Sequence, residues 1–200
     1  MIGRLWDMSA VYRLWQLPFA ASKFEPVARA LAGNRPRSVL DIGCGPGTNA
    51  AAFVDVPYVG VDVNALYVES ARRRFGDRFV VGDVTFGLPD RGAPYDVVIV
   101  NSLLHHLDDD QVRRVLLSAS ELLAPDGAIH ILDLELPSGR GVDRWLALHD
   151  RGDFPRLRAR WQALLSESIT IETFEPYPLG LPGLLLWNMF HCVGSARPEA

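Results

Sequence analysis

Five short apolar runs, spaced by helical segments, constrain this chain more than any other feature. They are Ser38–Ile42, Tyr58–Val63, Phe79–Gly82, Tyr95–Val100 and Ala128–Leu134. Several are apolar without interruption, as strands buried on both faces are, whereas a half-exposed strand alternates. Between them lie segments that read as helices: Thr48–Val54, a helix capped by Asn64 and running to Phe75, and Asp108–Leu123 with acidic residues at its start. Pro125-Asp126-Gly127 reads as the stop of that last helix. Strands that alternate with helices make βαβ units, hence a parallel sheet covered on both faces.

The flanks differ. Ser9–Leu17 and Ala20–Leu31 read as two helices broken at Pro18, the second ended by Gly33-Asn34-Arg35-Pro36. Val142–Leu165 reads as helical with an interruption near Gly152–Pro155. Ser168–Phe174 alternates with period two, and Leu184–Val193 is expected to pair with it antiparallel, with Pro176, Pro178 and Pro182 setting the turns. The expectation is one α/β domain in three parts: a helical cap over 1–35, a ligand-binding core over 36–134, and a variable helical insert with a terminal strand pair over 135–200.

Composition excludes several classes. A chain of 200 residues, 48% hydrophobic and 10% aromatic, buries a sizeable core and does not read as disordered. Cys44 and Cys192 alone cannot build a disulfide framework or a multi-cysteine zinc site, which fits a reducing, cytoplasmic setting. The net charge of −4 provides no global field for nucleic acid. Arg4, Asp7 and Arg13 interrupt the first apolar stretch, against a secretory signal. The longest apolar run, Leu179–Phe190, is short of the ~20 residues of a membrane span and contains Pro182. Lys23 is the only lysine; every other basic side chain except the histidines is arginine, a bias that fits a GC-rich bacterial genome.

The chemistry concentrates in Val39-Leu-Asp-Ile-Gly-Cys-Gly-Pro-Gly-Thr48, where a buried strand runs into Gly43, Gly45 and Gly47. Glycines allow a sharp turn and the close approach of a ligand, and a following helix offers unpaired N–H groups. Asp62 ends the second strand, 19 residues after Gly43, where a carboxylate can accept from both ribose hydroxyls of an adenosine at about 1.5–3 kcal/mol per charged bond. Asp41, Asp62 and Asp83 thus end three successive strands. The glycine pattern is G-x-G-x-G, with Thr48 where a dinucleotide turn has its third glycine, and acidic Asp41 suits a cation better than a pyrophosphate.

Leu40-Asp-Ile-Gly-Cys-Gly-Pro-Gly47 resembles motif I of the class I S-adenosylmethionine (SAM)-dependent methyltransferases. Gly60-Val-Asp-Val63, Gly82-Asp83-Val84, Tyr95–Leu107 and Leu123–Ala128 resemble their later motifs, in the family's order. The resemblance implies a Rossmann-like, seven-stranded, mostly parallel sheet with helices on both faces and the last strand antiparallel. It implies SAM as cofactor and S-adenosylhomocysteine as product. Carried over by position, Gly43, Cys44, Gly45 and Gly47 would pass under the methionine moiety and Asp41 would support that loop or the ammonium. Asp62 would bind the ribose, Val63 would pack on the adenine, and Asp83 and Val84 would meet its amino edge. Asn101, Ser102 and Leu103 would lie beside the sulfonium.

His105 and His106, just past the fourth strand, are the candidate general bases, since histidine titrates near working pH. The competing reading is that they simply lead into the next helix, and Asp108–Asp110 start that helix more simply than they complete a metal site. No metal is expected. His130 reads as a sheet residue, His149 as a solvated helix position or a substrate contact, His191 as part of the last strand, Arg72–Arg74 as a solvated helix end. Tyr12 and Trp15 either close over the cofactor or belong to the core. Absences narrow the acceptor. Asn101-Ser-Leu-Leu104 is not the Asn/Asp-Pro-Pro-Tyr of enzymes acting on base amines, no Pro-Cys nucleophile appears, and one lysine cannot build a Lys-Asp-Lys-Glu set. A small molecule, with oxygen, nitrogen or carbon as the accepting atom, is the expected partner rather than nucleic acid. The aromatics Trp145, Phe154, Trp161, Phe174, Tyr177, Trp187 and Phe190 either line an apolar acceptor pocket or are core. A nucleotide-cofactor oxidoreductase and a non-catalytic SAM-binding protein are the alternatives; intact glycines and strand-end carboxylates argue against the second.

Overall fold

Every central strand contributes side chains to two separate cores, which is why the apolar runs do not alternate. In the computed structural model, which describes residues 19–150 and 152–198, the strands are β1 (Val39–Ile42), β2 (Tyr58–Asp62), β3 (Phe79–Val81), β4 (Tyr95–Asn101), β5 (Leu123–Glu135), β6 (Ile169–Leu181) and β7 (Leu184–Ala196). Val98 and Val100 of β4 point to one face, where α3 (Asp109–Glu121) and α5 (Arg158–Ser166) pack with Val112, Leu116, Trp161 and Leu165. Val97 and Ile99 point to the other, against Val27 of α1 (Ala20–Ala30) and Val68 and Ala71 of α2 (Ala65–Phe75). A third cluster joins Phe19, Leu179, Trp187 and Met189 to Ala147 of α4 (Val142–Leu148).

The sheet order is β3-β2-β1-β4-β5-β7-β6. Strands β3, β2, β1, β4 and β5 pair in parallel, and β7 runs antiparallel to both β5 and β6. This is the expected Rossmann-like sheet with its last strand reversed. The order turns back at β1, which lies between β2 and β4. Parallel strands bring all their carboxyl ends to one edge, and a reversal of order opens a crevice there.

Local chemistry sets the element ends. Asn64 caps α2 by accepting from the N–H groups of Leu66 and Tyr67. Asp108 and Gln111 form a reciprocal capping box at the start of α3.

The short helix expected over Thr48–Val54 is a 3-10 helix over Asn49–Phe53, whose buried Ala50 and Phe53 are three residues apart, as a three-residue turn requires. Two expectations are corrected. Pro125-Asp126-Gly127 is not a turn. It lies inside β5, where a register shift beside Tyr95 absorbs it, and a Cβ on Gly127 would stand 2.8 Å from the Tyr95 carbonyl. Pro176 and Pro178 do not set turns but lie within β6, at the edge of the sheet. Two residues apart, they direct their missing N–H to the same side, which an edge strand tolerates. The helix expected over Ser9–Leu17, with Tyr12 and Trp15, lies outside the described residues. Among the described residues no helix is long and apolar enough to cross a membrane.

Gly60 is the tightest point of the β2 underside: a Cβ there would lie 2.6 Å from the buried Phe79 ring and 2.9 Å from Cys44 Sγ. Gly60→Ala is expected to lower unfolding stability by about 1–3 kcal/mol in denaturant titration; an unchanged midpoint would contradict this packing.

Candidate functional site

The glycine turn closes by backbone bonds. The N–H groups of Gly43 and Cys44 both donate to the Val61 carbonyl, at 2.8 and 3.0 Å, lashing the turn to β2. Gly43 has φ of 73°, and a Cβ there would press on the Leu103 side chain at 3.0 Å, so a side chain is excluded twice. Gly45, at φ 54°, differs: a Cβ there would meet nothing within 4 Å, so the turn is open on that side. The Gly45 N–H donates to Asp62 Oδ2 at 2.8 Å, while Asp62 Oδ1 accepts from Asn64 N–H at 2.8 Å. Next to it Val63 is 68% exposed, an apolar side chain presented to the crevice edge. At the tip of β3, Asp83 Oδ1 accepts from the N–H and hydroxyl of Thr85, and Val84 is buried in the core beneath.

Below the turn runs a chain of polar side chains. Asp41 is fully buried; the Tyr58 hydroxyl donates to it at 2.5 Å and Asn49 Nδ2 at 3.1 Å. Burial pushes the Asp41 carboxyl up to about 6, with the charge of Asp62 adding to the rise and the two hydrogen bonds opposing it. Asn101 Nδ2 donates to Asn49 Oδ1 at 3.2 Å, Ser102 Oγ to Asn101 Oδ1 at 3.1 Å, and Lys23 Nζ to Ser102 Oγ at 3.3 Å. Ser102 has φ of 55°, the one non-glycine residue in the left-handed region among the described residues, and its N–H is held by the Leu132 carbonyl. The tip of β4 is thereby tied to the underside of the glycine turn and to α1.

His105 occupies the 3-10 turn after β4, buried, with Nδ1 2.6 Å from Asp133 Oδ1. Burial works against a charge on this ring, but the Asp133 charge, the hydrogen bond to it and the charge of Asp150 outweigh burial and raise its pKa. Burial likewise works to raise Asp133, and the His105 charge, with bonds from His105 and the N–H groups of Leu134 and Leu104, holds it below the usual range. His106 is exposed, its ring 4.2 Å from that of His105. Arg156 locks this turn from outside, donating to the carbonyls of Leu104 and Leu107 and to Asp109, with its guanidinium 4.7 Å over the Trp161 ring.

The structure brings Asp41, Gly43, Gly45, Asp62, Val63, Asp83, Asn101, Ser102, Leu103 and His105 to one edge of the sheet. Two residues of the sequence set contribute differently. The Cys44 side chain turns inward against Gly60 and Phe79, where burial first, then Asp41 and Asp62, push its thiol up; only its backbone borders the turn. Gly47 faces Ala71 and Phe75 of α2 and serves helix packing. His130 and His191 pair with each other at 3.1 Å inside the sheet, both lowered to about 4 by burial. His149 stacks on Trp145 and bonds to its carbonyl at the end of α4. Arg72 binds the Phe79 carbonyl, Arg73 pairs with Glu69, and Arg74 reaches the Pro46 carbonyl. Trp161, Phe190 and Trp187 are core residues rather than pocket walls. Sequence reasoning missed Asn49, Tyr58, Lys23, Asp133 and Arg156 as members of the site. Asp133 carried a usable signal: it interrupts an apolar strand near its carboxyl end, as Asp41 and Asp62 do.

Known proteins resemble the stretch of chain from β1 to β5. Residues 39–127 match a family model described as a methyltransferase domain. An uncharacterized methyltransferase of Mycobacterium tuberculosis is 33% identical over 62% of this chain and 64% of its own length, so the chain spans less than two-thirds of that relative. A trans-aconitate 2-methyltransferase of Methylobacterium radiotolerans is 34% identical over 56% of this chain and 45% of its own. A SAM-dependent methyltransferase structure from Methanosarcina mazei superposes with a TM-score of 0.68 at 16% identity, covering 86% of this chain and 98% of the other.

Asp41 generates a pH prediction. Its folded pKa of about 6 lies above the unfolded value of 3.8, so its favourable contribution is full below 3.8 and lost as pH rises through 6. The stability of the protein relative to Asp41→Asn is expected to fall by about 3 kcal/mol over that window, read by denaturant titration at each pH. A difference that stays flat between pH 4 and 6 would contradict the buried carboxyl.

Proposed function

We propose that this chain, whose residues 39–127 match a methyltransferase-domain model and whose sheet has the fold of SAM-dependent methyltransferases, transfers the methyl group of SAM to a small-molecule acceptor. The observation that carries the reading is the convergence of the open Gly45 turn, the Asp62 carboxylate and the exposed Val63 at one point of the crevice. Those groups fit an adenosine bearing a cation: a carboxylate for hydroxyls, an apolar face for a ring, and acidic side chains around the turn. The core over 36–134 is the cofactor-binding part, and α1 and the described residues between 135 and 198 flank the acceptor.

Asp62 already accepts one N–H at each oxygen and retains lone pairs for the two ribose hydroxyls. Val63 packs on the adenine, and Asp83 accepts from its amino group while Thr85 fixes the carboxylate. The backbone of Gly43, Cys44 and Gly45 borders the methionine portion. Asp41 acts from below, holding Asn49 and hence the turn. Asn101, Ser102 and Leu103 flank the reacting centre. When bound, SAM supplies a methyl group on a sulfonium, already activated for in-line displacement. The protein's part is alignment, which contributes about 7–11 kcal/mol in well-oriented systems.

His105, rather than His106, is the general base for an acceptor bearing an O–H. Asp133 fixes its ring through Nδ1, which leaves Nε2 to take the proton. The acceptor reading draws support from the trans-aconitate methyltransferase relative, whose named substrate is a small molecule, and from the absence of a basic field for nucleic acid.

Calorimetry tests the cofactor directly. Asp62→Ala is expected to weaken SAM binding about ten- to hundredfold through the loss of about 1.5–3 kcal/mol; unchanged affinity, or preferred NADH binding, would overturn the reading. With a hydroxyl acceptor, kcat is expected to rise with pH through a transition above 6.5, because Asp133 raises His105. His105→Gln should abolish that transition and lower kcat about 10²–10⁴-fold with SAM affinity retained. An unaltered profile in His105→Gln would remove the base.

A further inference from the structure

We propose that Gly152 is a positioning residue for His105: its bare backbone is the wall that seats the imidazole against Asp133. This rests on the reading of His105 as the base of the crevice. In sequence, Gly152–Pro155 is only an interruption between two helical stretches. In the structure that interruption, between α4 and α5, is a strap laid across the 3-10 turn Leu104–His106. The Phe154 N–H donates to the His105 carbonyl at 3.0 Å, and Arg156 donates to the Leu104 and Leu107 carbonyls at 3.2 and 2.7 Å. The far end of the strap is pinned beside β5, where the Leu136 N–H donates to the Arg156 carbonyl at 2.8 Å.

Those bonds fix the backbone of the turn and leave the imidazole free to rotate about its side-chain bonds. Gly152 meets the ring itself. A Cβ there would stand 2.1 Å from His105 Cδ2 and 2.6 Å from the His105 carbonyl oxygen. Carbon atoms in contact lie about 3.5–4.0 Å apart, so ring or strap would have to retreat by more than about 1 Å. Neither is free to do so: Asp133 holds the ring through Nδ1, and Phe154 holds the carbonyl. The imidazole is thus gripped on its two opposite edges, by Asp133 at Nδ1 and by Gly152 at Cδ2. A ring gripped in this way keeps one rotamer, and an ionised Asp133, which can only accept, keeps a proton on Nδ1. Catalytic groups tolerate only about 0.5 Å of displacement, less than a single methyl group at 152 would force. The charges that face the ring are Asp133 from β5, Asp150 from the segment before the strap and Lys23 from α1, and the His106 ring stands 4.2 Å away. Gly152 carries no charge and acts on the ring by contact.

Protein labelled with ¹⁵N in its five histidines reads the ring directly, the His105 signals being those missing from His105→Gln. The wild type is expected to show a downfield Nδ1–H resonance for His105, a titration midpoint above 6.5, and a nuclear Overhauser contact between His105 Hδ2 and the Gly152 α-protons. Gly152→Ala should lose the Nδ1–H resonance and lower the midpoint, because a displaced ring loses Asp133 while its surroundings stay apolar. Its SAM affinity in calorimetry should stay within threefold of wild type. Gly139→Ala, where a Cβ would meet nothing within 4 Å, should leave every reading at its wild-type value. A Gly152→Ala ring that keeps both its Nδ1–H resonance and its midpoint overturns the proposal, as does a wild type without the Overhauser contact. A tenfold loss of SAM affinity in Gly152→Ala makes the glycine a general support of the crevice and overturns it too. Should Gly152→Ala fail to fold, His105→Ala in the same chain is expected to restore folding by removing the ring; failure to do so places the clash in the turn backbone and overturns the proposal. SAM binding with an unmoved ring sinks this proposal alone; a wild type that binds no SAM sinks the crevice reading and the positioning role with it.

Discussion

A carboxylate with no access to water organises this molecule. Asp41 stands at the point where the strand order reverses, and its burial is tolerable only because Tyr58 and Asn49 donate to it. Asn49 in turn receives Asn101, which receives Ser102, which receives Lys23. One hydrogen-bonded line therefore fixes the floor of the glycine turn, the tip of β4 and the position of α1. Satisfied polar chains of this kind rigidify a core and specify one arrangement, and a break at any link leaves a buried group unmatched.

A second clamp sets the other wall of the crevice. Arg156 arrives from a segment remote in sequence and satisfies the carbonyls of Leu104 and Leu107 while pairing with Asp109. It holds the turn that carries His105 against Asp133 of β5. Thus β5 and the segment before α5 decide where His105 points, although neither belongs to the glycine motif. The crevice is consequently built by tertiary pairing as much as by its best-marked loop.

This division explains what was legible in the sequence. Uninterrupted apolar runs ending in Gly43, Asp62 and Asp83 announced the parallel sheet and its functional edge, because burial on both faces and strand-end carboxylates leave marks at fixed spacing. The Asn64 and Asp108 caps were legible for the same reason: capping is local chemistry. Pro176 and Pro178 misled, since a proline reads as a turn until the strand that holds it is known to lie at an edge. Pro125–Gly127 misled because a register shift opposite Tyr95 absorbs it, and pairing partners are not local. Lys23, Asn49, Tyr58 and Arg156 have no short-range signature; their roles come from neighbours up to 79 residues away in the case of Lys23 and Ser102. Trp161 and Phe190 show the converse, as aromatics that suit a pocket in sequence and prove to be fully buried core.

The central claim is that the tips of β1, β2 and β3 share one nucleoside. A crystal structure with S-adenosylhomocysteine tests it most directly. The account predicts the nucleoside laid across the Gly43–Gly47 turn, its ribose on Asp62 and its adenine between Val63 and Asp83. Density for the compound elsewhere on the molecule, with Asp62 still bound only to Gly45 and Asn64, would contradict it.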